Sequence, residues 1–143
     1  KKIFDFLEPQ LKSKDIELKI VNAQETKIFG FKNEFEHILL NLINNAKDAF
    51  KNYECENKKI TINVTEGEKN TIITITDNAG GIPTSILNKI FNPYFTTKEQ
   101  GEGTGIGLYM TKVIIEKHFY GSIRAKNGED GAIFILNFPK EQR

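Results

Sequence analysis

Three stretches of this chain combine residue types that bind ligands more readily than they build a core. The first is LLNLINNAKDAF, residues 39–50. Asparagine is a mediocre helix former, roughly half a kcal/mol worse than alanine. Even so, Asn41, Asn44 and Asn45 occupy the middle of a segment whose apolar residues follow helical spacing. Asn41, Asn45 and Asp48, at i, i+4 and i+7, fall on one stripe beside the apolar face. A neutral amide oxygen is a good single ligand for Mg²⁺, an ion that prefers octahedral oxygen coordination and takes its other ligands from phosphates and water. The competing account is a solvated polar face, although such faces ordinarily carry Glu and Lys.

The second stretch, NPYFTTKEQGEGTGIGLYM (residues 92–110), places glycine at every second position from Gly101 to Gly107 and runs directly into a helical pattern. Glycines before a helix let backbone N–H groups approach a phosphate without hindrance from Cβ, and the positive end of the helix dipole adds attraction. The spacing matches neither common phosphate cradle. G-x-x-x-x-G-K-[ST] fails because no Lys follows Gly107, and G-x-G-x-x-G fails from every starting glycine. A merely mobile loop remains the alternative. The third stretch is TDNAGGIP, where Asp77 ends a β-rich run and two glycines follow. A carboxylate there can accept the amino proton of adenine while the glycines let a flat base lie against the backbone. Guanine would present a carbonyl oxygen instead, leaving two acceptors face to face at a cost of a few kcal/mol. A plain turn is the alternative.

Elements must hold these stretches in place. Ile3, Phe4, Leu7 and Leu11 have helical spacing interrupted by Pro9. IELKIV (16–21) alternates as a strand, and a short strand is expected near 26–30. Asn33 with Glu36 forms a capping-box pattern ahead of Phe35, Ile38, Leu39, Leu42, Ile43, Ala46 and Phe50, which trace one face of a helix reaching about residue 53. ITINV (60–64) and TIITIT (71–76) flank the polar TEGEKN and predict an antiparallel hairpin. Pro83 opens a short helix ending near Phe91, and residues 92–103 read as a long loop. Ile106, Met110, Val113 and Ile114 resume helical spacing, with Lys117 and His118 complementing the dipole before Gly121 stops the helix. SIRAK, NGEDG and AIFILNF form a last hairpin. The order predicts a two-layer α/β sandwich, a mixed and mostly antiparallel sheet with helices on one face.

Composition narrows the setting. A chain of 143 residues, 38% hydrophobic, with 20 basic and 19 acidic residues, suits one domain with a single core. No apolar run approaches the ~18 residues of a spanning helix. A formal charge of +1 with scattered lysines gives no reason to expect nucleic acid as a partner. Cys55 stands alone between Glu54 and Glu56, which suits a reducing compartment. The first residue is Lys, which reads as a piece of a longer protein or a processed product.

Taken together and in order, NLINNAKDAF, DNAGGIP, FNPYFTTK and GTGIGL closely resemble the N, G1, F and G2 boxes of the catalytic ATP-binding domain of two-component sensor histidine kinases. The similarity covers nearly the whole chain. It places the sequence in the wider group with gyrase, Hsp90 and the MutL mismatch-repair proteins, and implies the Bergerat fold with an ATP lid. It also implies that Asn45 holds Mg²⁺, that Asn41 contacts the phosphate region and that Asp48 lies near the nucleotide. Asp77 would bind the adenine amino group, with Gly81 and Ile82 at the base pocket. Phe91 and Phe95 match aromatics that anchor the lid. Gly103, Gly105 and Gly107 would form its hinge and a phosphate-facing turn, with Thr97, Thr104, Ile106 and Leu108 beside them. Lys98 is the candidate for stabilising charge on the γ-phosphate during transfer; a solvated lid lysine is the alternative.

Relatives that hydrolyse ATP are expected to carry Glu where this chain has Asn41, because a carboxylate accepts a proton from attacking water and an amide does not. The resemblance therefore implies that ATP is kept for a histidine on a separate helical dimerisation domain, with a response regulator further downstream. His37 and His118 do not fit the phosphoacceptor pattern, so this piece is expected to bind ATP with little autophosphorylation. The resemblance further implies a cytoplasmic domain, monomeric as a piece and dimeric in the whole kinase; membrane anchorage of the whole protein stays open. A serine kinase of the anti-sigma type and an ATP-sensing module without transfer are the competing functions.

Overall fold

The computed structural model of the chain describes residues 9–13, 15–21, 32–50, 56–92 and 107–139. Strands β1 (Glu17–Val21), β2 (Lys59–Glu66), β3 (Asn70–Asp77), β4 (Ser122–Asn127) and β5 (Ala132–Pro139) form one sheet in the order β1-β2-β3-β5-β4. The β1–β2 pair is parallel and every other pair is antiparallel. The mixed, mostly antiparallel sheet read from the sequence is the one observed. Both expected hairpins form, with strands longer than the apolar runs suggested. Gly67 N–H closes the first turn on the Asn70 carbonyl at 2.8 Å, and Gly128 N–H closes the second on the Gly131 carbonyl at 2.7 Å.

One face of the sheet carries the core. Ile60 and Ile62 on β2, Ile73 and Ile75 on β3, and Phe134, Leu136 and Phe138 on β5 are buried, while their sequence neighbours on the other face are half-buried. This alternation belongs to an antiparallel sheet covered on one side. Burying each such side chain contributes about 2 kcal/mol relative to leaving it in water. Among the described residues the long helices α1 (Lys32–Ala49) and α2 (Gly107–His118) cover this face, with Leu11 of the helical residues 9–12 also in the core. Ile38, Leu39, Leu42, Ile43 and Ala46 form the buried stripe of α1, as their spacing requires. Phe35, Phe119 and Phe138 pack as an aromatic trio, with Phe119 and Phe138 edge to face at 5.5 Å and Phe35 and Phe138 at 5.6 Å. The trio ties the start of α1 and the end of α2 to the last strand.

Several local expectations are corrected. Helix α1 begins at Lys32, so Asn33 lies inside the first turn and is not its cap. The segment after Pro83 is a run of turns, not a helix: Ile86, Lys89 and Asn92 N–H groups each bond to the carbonyl three residues back. Bonds at that spacing close separate turns and do not build the i→i−4 ladder of an α-helix. In α2 the buried residues are Thr111 and Ile115, while Met110 is exposed. A threonine is tolerated there because its hydroxyl donates to the Gly107 carbonyl one turn earlier, at 2.8 Å. Helix α2 ends at His118, and the left-handed residue beyond it is Tyr120 (φ 57°), not Gly121. Gly121 is glycine for another reason. A Cβ there would stand 2.1 Å from the Asn137 carbonyl oxygen of β5.

Residues 9–12 are helical; the rest of the segment expected to be helical from residue 3 lies outside the described residues, as does the strand expected near 26–30. Among the described residues no helix is long and apolar enough to cross a membrane.

Candidate functional site

The two helices meet antiparallel through polar contacts near the middle and at one end. Asn41 Nδ2 donates to Thr111 Oγ1 at 3.2 Å. His118 Nδ1 lies 2.5 Å from Glu34 Oε2. Residue 41 faces 111 and residue 34 faces 118, so the same register brings Gly107, the first residue of α2, level with Asn45 on α1. The N-terminus of α2, where the first backbone N–H groups lack intrahelical partners and the dipole is positive, is thus carried toward the asparagine stripe. A Cβ on Gly107 would meet no described residue within 4 Å. Leu108 is half-buried and packs on the core.

The stripe itself sits at the edge of the packed face. Asn41, Asn45 and Asp48 are all half-buried. Asn41 spends its amide hydrogen on Thr111, whereas Asn45 makes no hydrogen bond to a described residue. Among the described residues no three His, Cys, Asp or Glu side chains stand together as a metal cage. A magnesium ion at this stripe fits only the sparse pattern, with a single amide oxygen from Asn45 and the remaining ligands supplied by phosphates and water.

Asp77 ends β3 and is buried, with 7% of its surface exposed. Its Oδ1 accepts hydrogen bonds from the backbone N–H groups of Ala79 at 3.0 Å and Ala132 at 3.2 Å. Its Oδ2 has no hydrogen bond to a described residue. Burial raises the carboxyl above the ordinary aspartate value, and the two backbone donors pull it partly back. A fixed, desolvated acceptor of this kind suits an amino group and discriminates against a carbonyl.

The loop after Asp77 is held by the turn between β4 and β5. Gly80 N–H donates to the Asp130 carbonyl at 2.9 Å. Gly80 and Gly81 take φ of 92° and 90°, a left-handed conformation open to glycine. Ile82 exchanges two hydrogen bonds with the Asn127 side chain, each 2.7 Å. Gly131 must be glycine, because a Cβ would stand 2.2 Å from the Asp77 carbonyl oxygen. Further along, Phe91 packs edge to face on Phe134 with centroids 6.2 Å apart, and Lys112 Nζ lies 5.9 Å from the Phe91 ring centroid. Phe91 therefore rests against β5 and α2.

Thr97, Lys98, Gly103, Thr104, Gly105 and Ile106, with Phe95, lie outside the described residues. His37 and His118 are exposed, and His118 contacts Glu34. Sequence reasoning missed Thr111, Asn127 and Gly131. Thr111 was detectable as a polar residue within an apolar helix run. Asn127 and Gly131 read only as residues of the hairpin turn.

The family described as "Histidine kinase-, DNA gyrase B-, and HSP90-like ATPase" matches residues 30–142. Sporulation kinase A of Bacillus subtilis is 37% identical over 115 residues, which cover 80% of this chain and 18% of that protein. Sensor histidine kinase ZraS of Salmonella typhimurium is 39% identical over 133 residues, covering 89% of this chain and 26% of ZraS. The chain thus spans about a fifth to a quarter of the length of these relatives. In structure it is similar to the nucleotide-free catalytic domain of histidine kinase ThkA, with a TM-score of 0.84 at 28% identity, covering 97% of this chain and 90% of that one. ThkA in complex with the response regulator TrrA matches with a TM-score of 0.79 at 26% identity, covering 98% of this chain and 39% of that one.

Proposed function

The chain belongs to the histidine kinase-, DNA gyrase B- and HSP90-like ATPase family, and from that premise we propose that it binds Mg-ATP and donates the γ-phosphate to a histidine on a separate helical dimerisation domain. It would be the kinase module of a two-component system, with a response regulator receiving the phosphoryl group afterwards. The observation that carries this reading is the buried Asp77 carboxylate, fixed through one oxygen by Ala79 and Ala132. Its other oxygen is left to accept the adenine amino proton.

The remaining residues divide the work by chemistry. The N-terminus of α2 at Gly107 would receive phosphate oxygens on its unpaired N–H groups. Asn45 would offer an amide oxygen to Mg²⁺, which neutralises phosphate charge when bound. Asn41, tied to Thr111, would contact the phosphate region without serving as a base, since an amide does not take a proton from water at neutral pH. Lys98, with Thr97 and the glycines from 103 to 105, belongs to the proposed lid, and Asp48 to its border with the nucleotide. The kinship with sensor kinases, ZraS and sporulation kinase A among them, favours a histidine acceptor over serine.

The test is a transfer assay with the chain, its separately prepared helical domain and ATP labelled at the γ-phosphate. Acid-labile, base-stable label on a histidine of the helical domain supports the reading. Label on a serine, or tight ATP binding with no transfer, overturns it.

A further inference from the structure

We propose that Asn127 is a positioning residue for the base end of the nucleotide site, setting affinity for the purine and not for the triphosphate. The inference rests on the ATP-binding reading above. Asn127 is the last residue of β4, distant in sequence from the loop that it holds. Its Nδ2 donates to the Ile82 carbonyl and its Oδ1 accepts from the Ile82 N–H, both at 2.7 Å. A side chain here supplies the paired bonds that a neighbouring strand would otherwise make.

Residues 78–83 lie outside the sheet ladder, so their backbone groups need partners from elsewhere. The β4–β5 hairpin supplies those of Gly80 and Ile82. Besides the Asn127 pair, Gly80 N–H reaches the Asp130 carbonyl, and Ala132 N–H reaches the Asp77 carboxylate. Gly81 shows how closely the two loops are fitted. A Cβ there would stand 2.8 Å from Asn127 Oδ1, so the space freed by this glycine is occupied by the asparagine. Two consecutive glycines at positive φ are held in a conformation they would leave readily, because glycine has the most backbone freedom to regain. Without Asn127 the loop keeps its Gly80 tie and loses both bonds at Ile82. The wall that follows Asp77 then samples many shapes, and a bound base must order it again. Among the described residues both hydrogen bonds of the Asn127 side chain go to Ile82, not to the N-terminus of α2 or the asparagine stripe of α1, so the phosphate end is left as it was.

The experiment compares the whole chain with Asn127→Ala and Asn127→Ser, by calorimetry with Mg-ATP and with Mg-tripolyphosphate. Asn127→Ala is expected to weaken ATP binding about tenfold, the loss of two modest hydrogen bonds. Tripolyphosphate affinity should stay within about twofold of wild type. Asn127→Ser, which retains one hydrogen-bonding oxygen, should fall between. Amide exchange at Ile82 in the ligand-free chain reads the clamp directly: protection in the wild type and faster exchange in Asn127→Ser than in the wild type support it, whatever the stability of the alanine variant. Equal losses for both ligands, or an unprotected Ile82 amide in the wild type, overturn the inference. Wild-type chain that fails to bind Mg-ATP overturns the nucleotide reading and this inference together. Wild-type binding with no loss in either variant overturns this inference alone.

Discussion

Asn41 on α1 donates its side-chain amide to Thr111 on α2 across 3.2 Å, joining residues 70 positions apart in the chain. Thr111 passes the connection on by donating its own hydroxyl proton to the Gly107 carbonyl at 2.8 Å. Thr111→Val keeps the shape and removes both bonds. Asn41 is half-buried and can regain water, so the expected cost is about 1 kcal/mol, a fall in Tm of roughly 3–6 °C. Thermal unfolding followed by circular dichroism checks it, and an unchanged Tm would show that the link contributes nothing.

Asp77→Asn should separate binding from stability. The asparagine oxygen can still accept from Ala79 and Ala132, but the outward Oδ2 becomes an NH₂ group that opposes the adenine amino group. ATP affinity is expected to fall at least tenfold, from one lost hydrogen bond and one donor set against another. Calorimetry that returned wild-type affinity would reject the adenine assignment.

The pH dependence of the same residue has a definite sign. Burial raises the Asp77 carboxyl in the fold above the ordinary value of 3.8. Its contribution to stability is therefore full below the ordinary value and is lost as pH rises through the raised one. The amide introduced by Asp77→Asn mimics the neutral form, so this variant should be no less stable than wild type at pH 7. ATP binding runs the opposite way: protonation removes the acceptor, and affinity should decline as pH falls through a range above that of an ordinary aspartate. Tm and calorimetric Kd, each followed from neutral pH down into the mildly acidic range, test both signs.

Asn45→Ala should leave the fold intact, since the half-buried side chain makes no hydrogen bond to a described residue, and should abolish Mg²⁺-dependent transfer to the helical domain. Near-normal transfer rates in the labelled-phosphate assay would count against its role as a metal ligand.

Tyr120 holds a φ of 57° with 57% of its surface exposed. A side chain with Cβ is strained in that region by about 1 kcal/mol. Tyr120→Gly relieves the strain at the cost of a looser unfolded chain, so a net gain of about 0.5 kcal/mol, seen as a small rise in Tm, is expected. A lower Tm would mean that the tyrosine ring contributes more contact than its exposure indicates.

Periodic burial is a local property, and it was legible in the residues. The apolar stripe of α1 from Ile38 to Ala46, the alternation of β2, β3 and β5, and both hairpins follow from patterns a few residues long, because each element had to offer one face to a common core. The resemblance of four motifs likewise singled out Asn41, Asn45 and Asp77. The tertiary structure alone decided which backbone groups complete one another across the chain. That Asn127 would clamp Ile82, that Gly131 would make room for Asp77 and that Thr111 would bridge Asn41 to Gly107 depends on how β4, β5 and α2 pack against distant segments. No short window of sequence contains both Asn127 and Ile82, both Gly131 and Asp77, or both Thr111 and Asn41. Asn127-Gly128 therefore read as a turn, since turn formation is the local use of those residues, and its tie to the Asp77 loop arose only when the sheet brought the two together.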